Sequence, residues 1–294
     1  MSRHCAFLTL ENRGEFFIYD HLLFAPLEER GWSVEEIPWN RPHVDWSQFE
    51  AVIIRSTWDY QADPARFLET LQGIAKVARL FNPVDICRWN LNKRYLLDLQ
   101  QSGVSIVPTA WPDRLTPDAI ELAFQQFETD RLVTKPLVGA NADDTYVLRA
   151  DDRASWQPAL HTFGQCEAMV QPFLRSIVDQ GEYSLFYFGG QLSHTIVKRP
   201  AEGDFRVQEE HGGVIQSTDA PHDMIDLGTE VMRALGNRLL YARVDLVRLE
   251  SGTPALIELE LIEPSLYFEQ CDEAAERFAD EFQRMMEDAA QARY

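Results

Sequence analysis

Several features that would place this chain in a common class are missing from its 294 residues. No apolar run approaches the length of about 20 residues that a membrane-spanning helix needs. The N-terminal apolar run, residues 5–10, is too short for a signal peptide. The four cysteines lie far apart, without the Cys-x-x-Cys spacing of zinc sites or a dense disulfide framework. We therefore expect a cytoplasmic protein with reduced thiols and no membrane partner.

Two widespread nucleotide-binding signatures are also missing. The sequence contains neither a Gly-x-x-x-x-Gly-Lys-[Ser/Thr] loop nor a Gly-x-Gly-x-x-Gly motif after a strand. Positive charge is scarce, because 47 acidic residues against 27 basic ones give a net charge of −20. A chain this acidic is repelled by nucleic acid and anionic membranes. A small polyanion such as ATP remains possible, since it needs only a few basic groups inside one pocket.

What the first hundred residues do contain is an alternation of strands and helices. Apolar runs predict strands at 5–10, 33–38 and 51–55, and apolar residues at helical spacing predict helices over 19–30 and 64–79. This order implies a parallel sheet covered on both faces. Ligands bind beyond the carboxyl ends of such strands, so the polar segment there is a candidate substrate pocket. That segment consists of Arg55, Ser56, Thr57, Trp58, Asp59 and Tyr60.

The rest of the chain is predicted to be richer in strands. A helix over 90–101 is followed by a proline-rich boundary at 108–117, and strands are predicted after it at 131–136 and 167–173. Residues 182–199 predict a hairpin with its turn at Gly189-Gly190. A second hairpin pairs residues 239–250 with 253–262.

The most informative local pattern lies in this second hairpin. Residues 257–261 read Ile-Glu-Leu-Glu-Leu, so a strand points Glu258 and Glu260 to one face, about 7 Å apart. Either a two-residue turn at 251–252 or a four-residue loop over 250–253 then places Asp245 directly opposite Glu258, with Cβ atoms about 5 Å apart. Converging like charges destabilise a sheet unless a cation compensates them, and carboxylate oxygens suit Mg²⁺. The alternative interpretation is a solvated acidic face.

Basic residues near glycines are candidates for binding phosphate. Lysine is rare in this chain, yet Lys93 lies at a helix start, Lys135 ends a strand and Lys198 ends a hairpin. Arg206 follows closely in Gly203-Asp-Phe-Arg206. A basic residue taken alone is more often a surface charge. Neighbouring glycines, however, let the backbone approach a phosphate group.

These segments, in this order, resemble the ATP-grasp superfamily and in particular bacterial glutathione synthetases. Asn82-Pro83 with Asn90 and Lys93 resembles the family segment Asn-x-Pro … Asn-x-Lys. Residues 133–139 resemble Val-x-Lys-Pro-x-x-Gly, and residues 198–213 resemble Arg-x-Pro-x-x-Gly-x-x-Arg … Gly-Gly. Asp245 with Glu258-x-Glu260 resembles the metal triad Asp … Glu-x-Asn. The resemblance covers roughly residues 80–270.

The resemblance implies ATP and Mg²⁺ as cofactors and assigns residues to each. The nucleotide-binding residues would be Lys93, Lys135, Gln171, Phe173, Leu174, Glu182, Lys198 and Arg206. The metal ligands would be Asp245, Glu258 and Glu260. Lys198 and Arg206 would also be catalytic, at the triphosphate and the transferring phosphate. Glu182 would bind the ribose hydroxyls, and Phe173 or Leu174 would offer an N–H to adenine, because Pro172 cannot donate.

The implied fold class is α/β with α+β lobes, in which two lobes clasp ATP. Residues 1–108 would form a parallel α/β substrate domain, 109–190 the lid subdomain and 191–294 the metal- and phosphate-binding subdomain. A homodimer is plausible, as in the family. The sequence departs from the pattern at Glu260, which replaces asparagine, and at 139–144, where the lid loop lacks its usual glycines. Residues 55–60 do not resemble a glutathione-binding segment; they resemble ATP-grasp enzymes of antibiotic biosynthesis, including the ligase that closes the cycloserine ring.

The function that the resemblance implies is an ADP-forming ligase. ATP would phosphorylate a carboxylate or similar oxygen of a small amino-acid-like substrate, and an amine would displace the phosphate. Arg206 would stabilise the acyl phosphate, and Arg55 would pair with a substrate carboxylate. Three alternatives stay open: cyclisation within one substrate, a non-catalytic nucleotide-binding protein, and an acidic metal-binding or interaction domain. The sequence names neither the acceptor nor the amine.

Overall fold

The N-terminal unit is a parallel α/β sheet with strand order β2-β1-β3-β4. The computed structural model describes residues 3–14, 16–139, 142–236 and 239–291. The strands are β1 (Arg3–Thr9), β2 (Trp32–Pro38), β3 (Ala51–Ser56) and β4 (Arg79–Phe81), joined by helices α1 (Phe24–Glu29) and α2 (Pro64–Ala75). This confirms the predicted alternation. Asp63 caps α2 by accepting a hydrogen bond from the N–H of Arg66, and Pro64 occupies the first helical turn.

Two short helices follow, α3 (Val84–Asn90) and α4 (Tyr95–Gln101), so the single helix predicted over 90–101 is wrong. The side-chain oxygen of Asn92 accepts a hydrogen bond from the N–H of Arg94 at 3.0 Å, and this local turn competes with helical hydrogen bonding. The break carries Lys93, whose own N–H donates to the carbonyl of Leu137 at 2.8 Å. The turn between the helices therefore fixes Lys93 against the middle of the chain.

The middle of the chain forms a small antiparallel sheet with strand order β6-β5-β7. Its elements are α5 (Pro117–Phe127), β5 (Arg131–Lys135), β6 (Tyr146–Arg149), α6 (Gln157–Phe163) and β7 (Met169–Pro172). The two helices pack on the sheet around Ile120, Leu132 and Phe163. The sequence predicts β5 and β7 but not β6 or the helices. Two residues of the expected lid loop, Ala140 and Asn141, lie outside the described residues.

The last unit is an antiparallel sheet with strand order β10-β9-β8-β11-β12. The elements are α7 (Arg175–Asp179), β8 (Glu182–Phe188), β9 (Gln191–Arg199), β10 (Val214–Ser217), α8 (His222–Leu235), β11 (Tyr241–Arg248), β12 (Pro254–Glu260) and α9 (Ala274–Gln291). The predicted turn at Gly189 and Gly190 is confirmed, and both glycines have the positive φ that such tight turns require. This turn joins two paired strands of one sheet, at the boundary that the sequence predicts between two subdomains.

The units are held together by buried side chains and by asparagine bridges. Cys5 and Phe7 on one face of β1 belong to the same core as Phe278 and Phe282 of α9, so the C-terminal helix covers the N-terminal sheet. Asn90 donates to the carbonyl of Leu259 and accepts from the N–H of Leu261, each at 2.9 Å. Asn82 makes similar bonds to Leu240, Tyr241 and Leu261. Among the described residues, we find no helix with the length and apolar character to cross a membrane.

Candidate active site

Alternation along the strands gives the five-stranded sheet one apolar face and an opposite face that is polar around Asp245 and apolar around Phe186 and Tyr241. Val244 and Leu246 of β11 are fully buried in the core that α8 shares. Because side chains alternate along a strand, Arg243 and Asp245 point to the opposite face. Ser184 of β8 pairs with Asp245 and donates its hydroxyl to that carboxylate. The polar face is thus built by period-two patterning in neighbouring strands.

The predicted pairing of Asp245 with Glu258 is confirmed, although the turn that leads to it differs. The connecting loop is longer than the expected short turn, and Arg248 pairs with Pro254. A register shift just after Asp245 leaves Ile257 as a bulge and restores the expected pairing. The bulge therefore lets both carboxylates face the same cleft despite the longer loop.

Arg243 is the cation that compensates much of this acidic face, and the sequence analysis did not single it out. Its Nη2 lies 3.0 Å from Oδ2 of Asp245 and also binds Glu260, which pairs with it across the ladder. Burial, with repulsion from Asp245 and Glu258, raises the pKa of Glu260 to about 7 although Arg243 opposes the shift. The available signal was spacing: Arg243 precedes Asp245 by two residues in a strand and so shares its face.

Two lysines approach the cleft from the middle of the chain. Lys93 binds Oε1 of Glu258 at 2.5 Å and the carbonyl of Gly139 at 3.2 Å. Burial opposes ionisation of Glu258, but Lys93 and Lys135 outweigh it and lower the pKa of that carboxyl. Burial also lowers the pKa of Lys135, and Lys93 adds to this effect by repulsion. A bound polyanion would relieve this repulsion between ammonium groups.

Lys198 joins the strands β8 and β11 through two carboxylates. Its Nζ lies 2.6 Å from Oε1 of Glu182 and 3.3 Å from Oδ1 of Asp245. Burial raises the pKa of Glu182, and Lys198 opposes that shift. Three of the four lysines of the chain thus line one cleft. This concentration is far from the even surface distribution that single lysines usually have.

The segment predicted to read adenine lies on the opposite wall of the cleft. Gln171 is buried in β7 and its amide donates to the hydroxyl of Thr109 at 3.0 Å. The N–H of Phe173 donates to the carbonyl of Arg131 at 2.9 Å, so it is engaged within the protein. Of the two N–H groups predicted to face adenine, that of Leu174 is therefore the better candidate. The guanidinium carbon of Arg131 lies over the Phe173 ring, 4.2 Å from the centroid of that ring.

Arg206 lies in a loop at the mouth of the cleft. Its guanidinium binds both carboxylate oxygens of Asp204, with Nη2 to Oδ2 at 2.8 Å. The hydrogen bond from Arg206 lowers the pKa of Asp204. The side chain of Arg206 is 37% exposed, so it can turn toward a ligand in the cleft by exchanging one carboxylate for a phosphate.

The structure does not bring Arg55 to the wall of the cleft. The side chain is 2% exposed, and its guanidinium binds Asp20 at 2.8 Å and the carbonyl of Pro264 at 3.1 Å. Ser56 and Thr57 are buried as well. Because its hydrogen-bond partners are Asp20 and Pro264, Arg55 links the substrate segment to other parts of the protein, including the segment after β12.

Trp58 and Tyr60 are the members of the substrate segment that do line the cleft. The indole N–H of Trp58 donates to the carbonyl of Glu263 at 2.8 Å. The Tyr60 side chain interacts with the Glu263 carboxyl and opposes the rise in its pKa that burial causes. Asp59 points away and accepts a hydrogen bond from Trp39 at 2.5 Å. The contacts place Glu263, which was not predicted, at the substrate end of the cleft.

All the residues predicted to bind nucleotide or metal line this one cleft. They are Lys93, Lys135, Gln171, Phe173, Leu174, Glu182, Lys198, Arg206, Asp245, Glu258 and Glu260. Cleft residues that sequence reasoning missed include Tyr95, Arg243, Glu263, Ser265 and Tyr267. Glu263 and Ser265 follow the acidic strand directly, so their proximity to Glu260 was the available signal.

The three acids fit Mg²⁺ by chemistry, while their present contacts are with basic side chains. They offer hard carboxylate oxygens on paired strands, and Asp245 directly faces Glu258. Within the described part of the chain, however, no three acidic, histidine or cysteine side chains are arranged as a metal site. Lys93, Lys198 and Arg243 hold these carboxylates instead. A divalent cation would take over this role and free the basic groups for phosphate.

Comparison with known proteins finds similarity both for the N-terminal unit and for most of the chain. Residues 5–82 match the family described as D-cycloserine synthetase DcsG, N-terminal domain. The chain is 34% identical over 262 residues to the cycloserine biosynthesis protein DcsG of Streptomyces lavendulae, covering 85% of this chain and 87% of that protein.

Solved structures agree with this similarity. The crystal structure of D-cycloserine synthetase DcsG superposes with a TM-score of 0.84 at 30% identity, covering 96% of this chain and 99% of that one. A structure of the ATP-grasp ligase PsnB, complexed with a phosphomimetic variant of its minimal precursor, Mg and ADP, superposes with a TM-score of 0.67. It covers 97% of this chain and 98% of that one at 13% identity, a level that speaks for the fold alone. The predicted ATP-grasp fold is confirmed.

Proposed function

The chain belongs to the family of the cycloserine biosynthesis protein DcsG and is an ATP-grasp ligase, and we propose that it closes a ring within one amino-acid-like substrate. The observation that carries the proposal is the match of residues 5–82 to the N-terminal domain of D-cycloserine synthetase. That stretch contains Trp58 and Tyr60, the side chains that the N-terminal unit contributes to the cleft at its substrate end.

ATP would lie between the three-stranded and five-stranded sheets. Its adenine would meet Gln171, Phe173 and the N–H of Leu174, and Glu182 would accept hydrogen bonds from the ribose hydroxyls. The phosphates would meet the basic groups of Lys93, Lys135, Lys198 and Arg206, all of which line the cleft. Support comes from the lowered pKa of Lys135, since burial and Lys93 disfavour its charge until an anion arrives.

Asp245, Glu258 and Glu260 would hold Mg²⁺. Magnesium supplies charge neutralisation on the phosphate oxygens, which is the main requirement of phosphoryl transfer. Lys93 and Arg243 form ion pairs with Glu258 and Glu260 and so hold these carboxylates on the same side of the cleft. Glu260 stands where the wider family has asparagine, so this site carries one more negative charge than the usual triad.

The chemistry assigned to the protein is positioning and charge stabilisation. A substrate oxygen attacks the γ-phosphorus of ATP, the bond to the β–γ bridging oxygen breaks, and ADP leaves. A nitrogen of the same substrate then attacks the activated carbon, and inorganic phosphate leaves with the electrons of the carbon–oxygen bond. Arg206 and Arg243 both line the cleft, and their guanidinium groups would stabilise the negative charge that develops.

Ligation of two separate molecules is the alternative that the ATP-grasp fold also supports. The distinguishing experiment incubates the protein with Mg-ATP and amino acids that carry a ureido or amide group, one at a time. Ring closure predicts release of ADP with a single organic substrate. The product mass should then be lower than the mass of that substrate, with nothing added from a second molecule. A requirement for a second amine in every active mixture would contradict ring closure. Nucleotide binding without ADP release in any mixture would favour a non-catalytic protein.

Location and assembly remain parts of this proposal. Cys5, Cys87, Cys166 and Cys271 are all free thiols, which supports a reducing compartment such as the cytoplasm. We expect a homodimer, and light scattering coupled to size-exclusion chromatography would measure its mass. A mass of 33.8 kDa in solution would show a monomer and remove the dimer from the proposal.

A further inference from the structure

Glu263 differs in its contacts from the four acids predicted to bind nucleotide or metal, each of which forms an ion pair. It follows β12 by three residues, is 9% exposed, and lines the cleft beside Trp58 and Tyr60. Glu258 and Glu260 each bind a basic side chain. Within the described ranges, no basic side chain forms an ion pair with the Glu263 carboxyl, and the Tyr60 side chain interacts with it.

A carboxylate that is ionised at a buried position such as this one is costly unless it meets a cation. Burial raises the pKa of Glu263 to about 8, and repulsion from Glu260 adds to the shift although Lys93 and Arg243 oppose it. A ligand with a positive charge would supply the missing partner. The residue therefore has the character of a binding group kept ready for a cation.

The surroundings of Glu263 select the kind of cation. Trp58 and Tyr60 place aromatic side chains beside it: the indole N–H of Trp58 donates to the backbone carbonyl of Glu263 at 2.8 Å, and the Tyr60 side chain interacts with the carboxyl. Aromatic faces stabilise ammonium groups, whereas a metal ion would need several oxygen ligands. Tyr60 is itself held by stacking on Phe67, with ring centroids 4.5 Å apart. The carboxyl thus sits in a rigid, partly aromatic pocket.

We propose that Glu263 binds the ammonium group of the substrate, with Tyr60 orienting its carboxyl, so that the site selects amino acids with a free ammonium group. This inference rests on the proposed ring-closing function. It places the charged end of the substrate against the N-terminal unit and the end that reacts toward Arg206, Arg243 and the phosphates.

The experiment compares two ring compounds that differ only in the ammonium group. D-cycloserine carries a primary amine, and isoxazolidin-3-one is the same ring without it. Calorimetry would measure the affinity of both for the protein saturated with Mg-ADP. The variants are Glu263→Gln, which keeps an acceptor for Tyr60, and Tyr60→Phe, which removes the hydroxyl. Glu69→Gln, an exposed acid on α2, is the matched control.

We expect the wild type and Glu69→Gln to bind D-cycloserine at least about tenfold more tightly than isoxazolidin-3-one, since a charge-assisted hydrogen bond is at stake. Glu263→Gln should reduce this preference to about twofold or less, and Tyr60→Phe should reduce it partially. The affinity of Glu263→Gln for isoxazolidin-3-one and for Mg-ADP should stay unchanged, because a merely structural role would weaken every ligand.

Two results would overturn the proposal, and they are distinguishable. Glu263→Gln with the full wild-type preference would remove Glu263 as the ammonium partner and leave the ring-closing function standing. Wild-type protein that binds Mg-ADP but neither ring would contradict the ring-closing function, and the ammonium assignment would fall with it.

Discussion

The buried carboxyl of Glu263 predicts a stability that depends on pH in a specific direction. Burial raises its pKa from 4.5 to about 8 in the folded protein. The folded state therefore holds this proton more tightly than the unfolded state does. The stabilising contribution is complete below pH 4.5 and is lost as the pH rises through about 8. Glu263→Gln removes this dependence, because an amide does not titrate in this range.

The magnitude follows from the size of the shift. Each pKa unit corresponds to about 1.4 kcal/mol, so the full effect is about 5 kcal/mol. About 3–4 kcal/mol of it falls between pH 5 and pH 8, since the unfolded carboxyl is already mostly ionised at pH 5. The difference in unfolding free energy between Glu263→Gln and wild type should therefore grow in favour of the variant by about this amount over that range.

The assay is urea unfolding at pH 5, 6.5 and 8, followed by the fluorescence of the seven tryptophans. Glu69→Gln serves as the control, and its difference from wild type should stay flat across the three pH values. A Glu263→Gln difference that is equally flat would refute the argument. It would show that Glu263 is ionised in the folded protein at pH 5, and that a cation within the protein compensates it.

Three further predictions concern other parts of the site. Arg206→Ala should lower the rate of ADP release by about 10²-fold or more, while the affinity for Mg-ATP stays nearly unchanged. A steady-state assay of ADP release would measure the first quantity and calorimetry the second. Equal turnover in the variant and the wild type would remove Arg206 from the mechanism. Arg243→Met leaves Asp245 and Glu260 without their shared cation and should lower the free energy of unfolding by about 3–5 kcal/mol, part of which added Mg²⁺ should restore. A variant that is as stable as wild type without Mg²⁺ would show that Arg243 does not compensate these two carboxylates. Asn90→Ala removes the hydrogen-bond partner of two buried backbone groups, the carbonyl of Leu259 and the N–H of Leu261, and should lower the free energy of unfolding in urea by about 2–4 kcal/mol. A change below about 0.5 kcal/mol would contradict the bridging role of Asn90.

The elements that the sequence predicted well are those fixed by local patterning. The alternation around Glu258 and Glu260 marks a strand with one polar face, and the facing Asp245 follows from strand pairing alone. Paired glycines at 189 and 190 fix a turn for the same kind of local reason. The register survives a longer loop because the bulge at Ile257 corrects it, which no local rule reveals.

Two of the features that escaped the sequence depend on partners far away in the chain. Arg55 looks like a substrate ligand by its place at the carboxyl end of β3, but its partner Asp20 comes from another segment. The ion pair between Lys93 and Glu258 joins residues 165 positions apart. The helix predicted over 90–101 breaks for a local reason, the Asn92 turn, which propensity patterns alone do not weigh correctly. Long-range pairing of charges therefore limited the prediction more than the fold did.

We propose that the polar part of the five-stranded sheet binds Mg-ATP through its three carboxylates and the surrounding basic groups. Calorimetric titration of Mg-ATP into wild type and Glu258→Gln tests it most directly, because Glu258 faces both Asp245 and Lys93. The account predicts binding in wild type that requires Mg²⁺ and is lost or much weaker in the variant. Equal affinity in both proteins, or binding that is indifferent to Mg²⁺, would contradict it and leave the acidic strand without a role in holding the nucleotide.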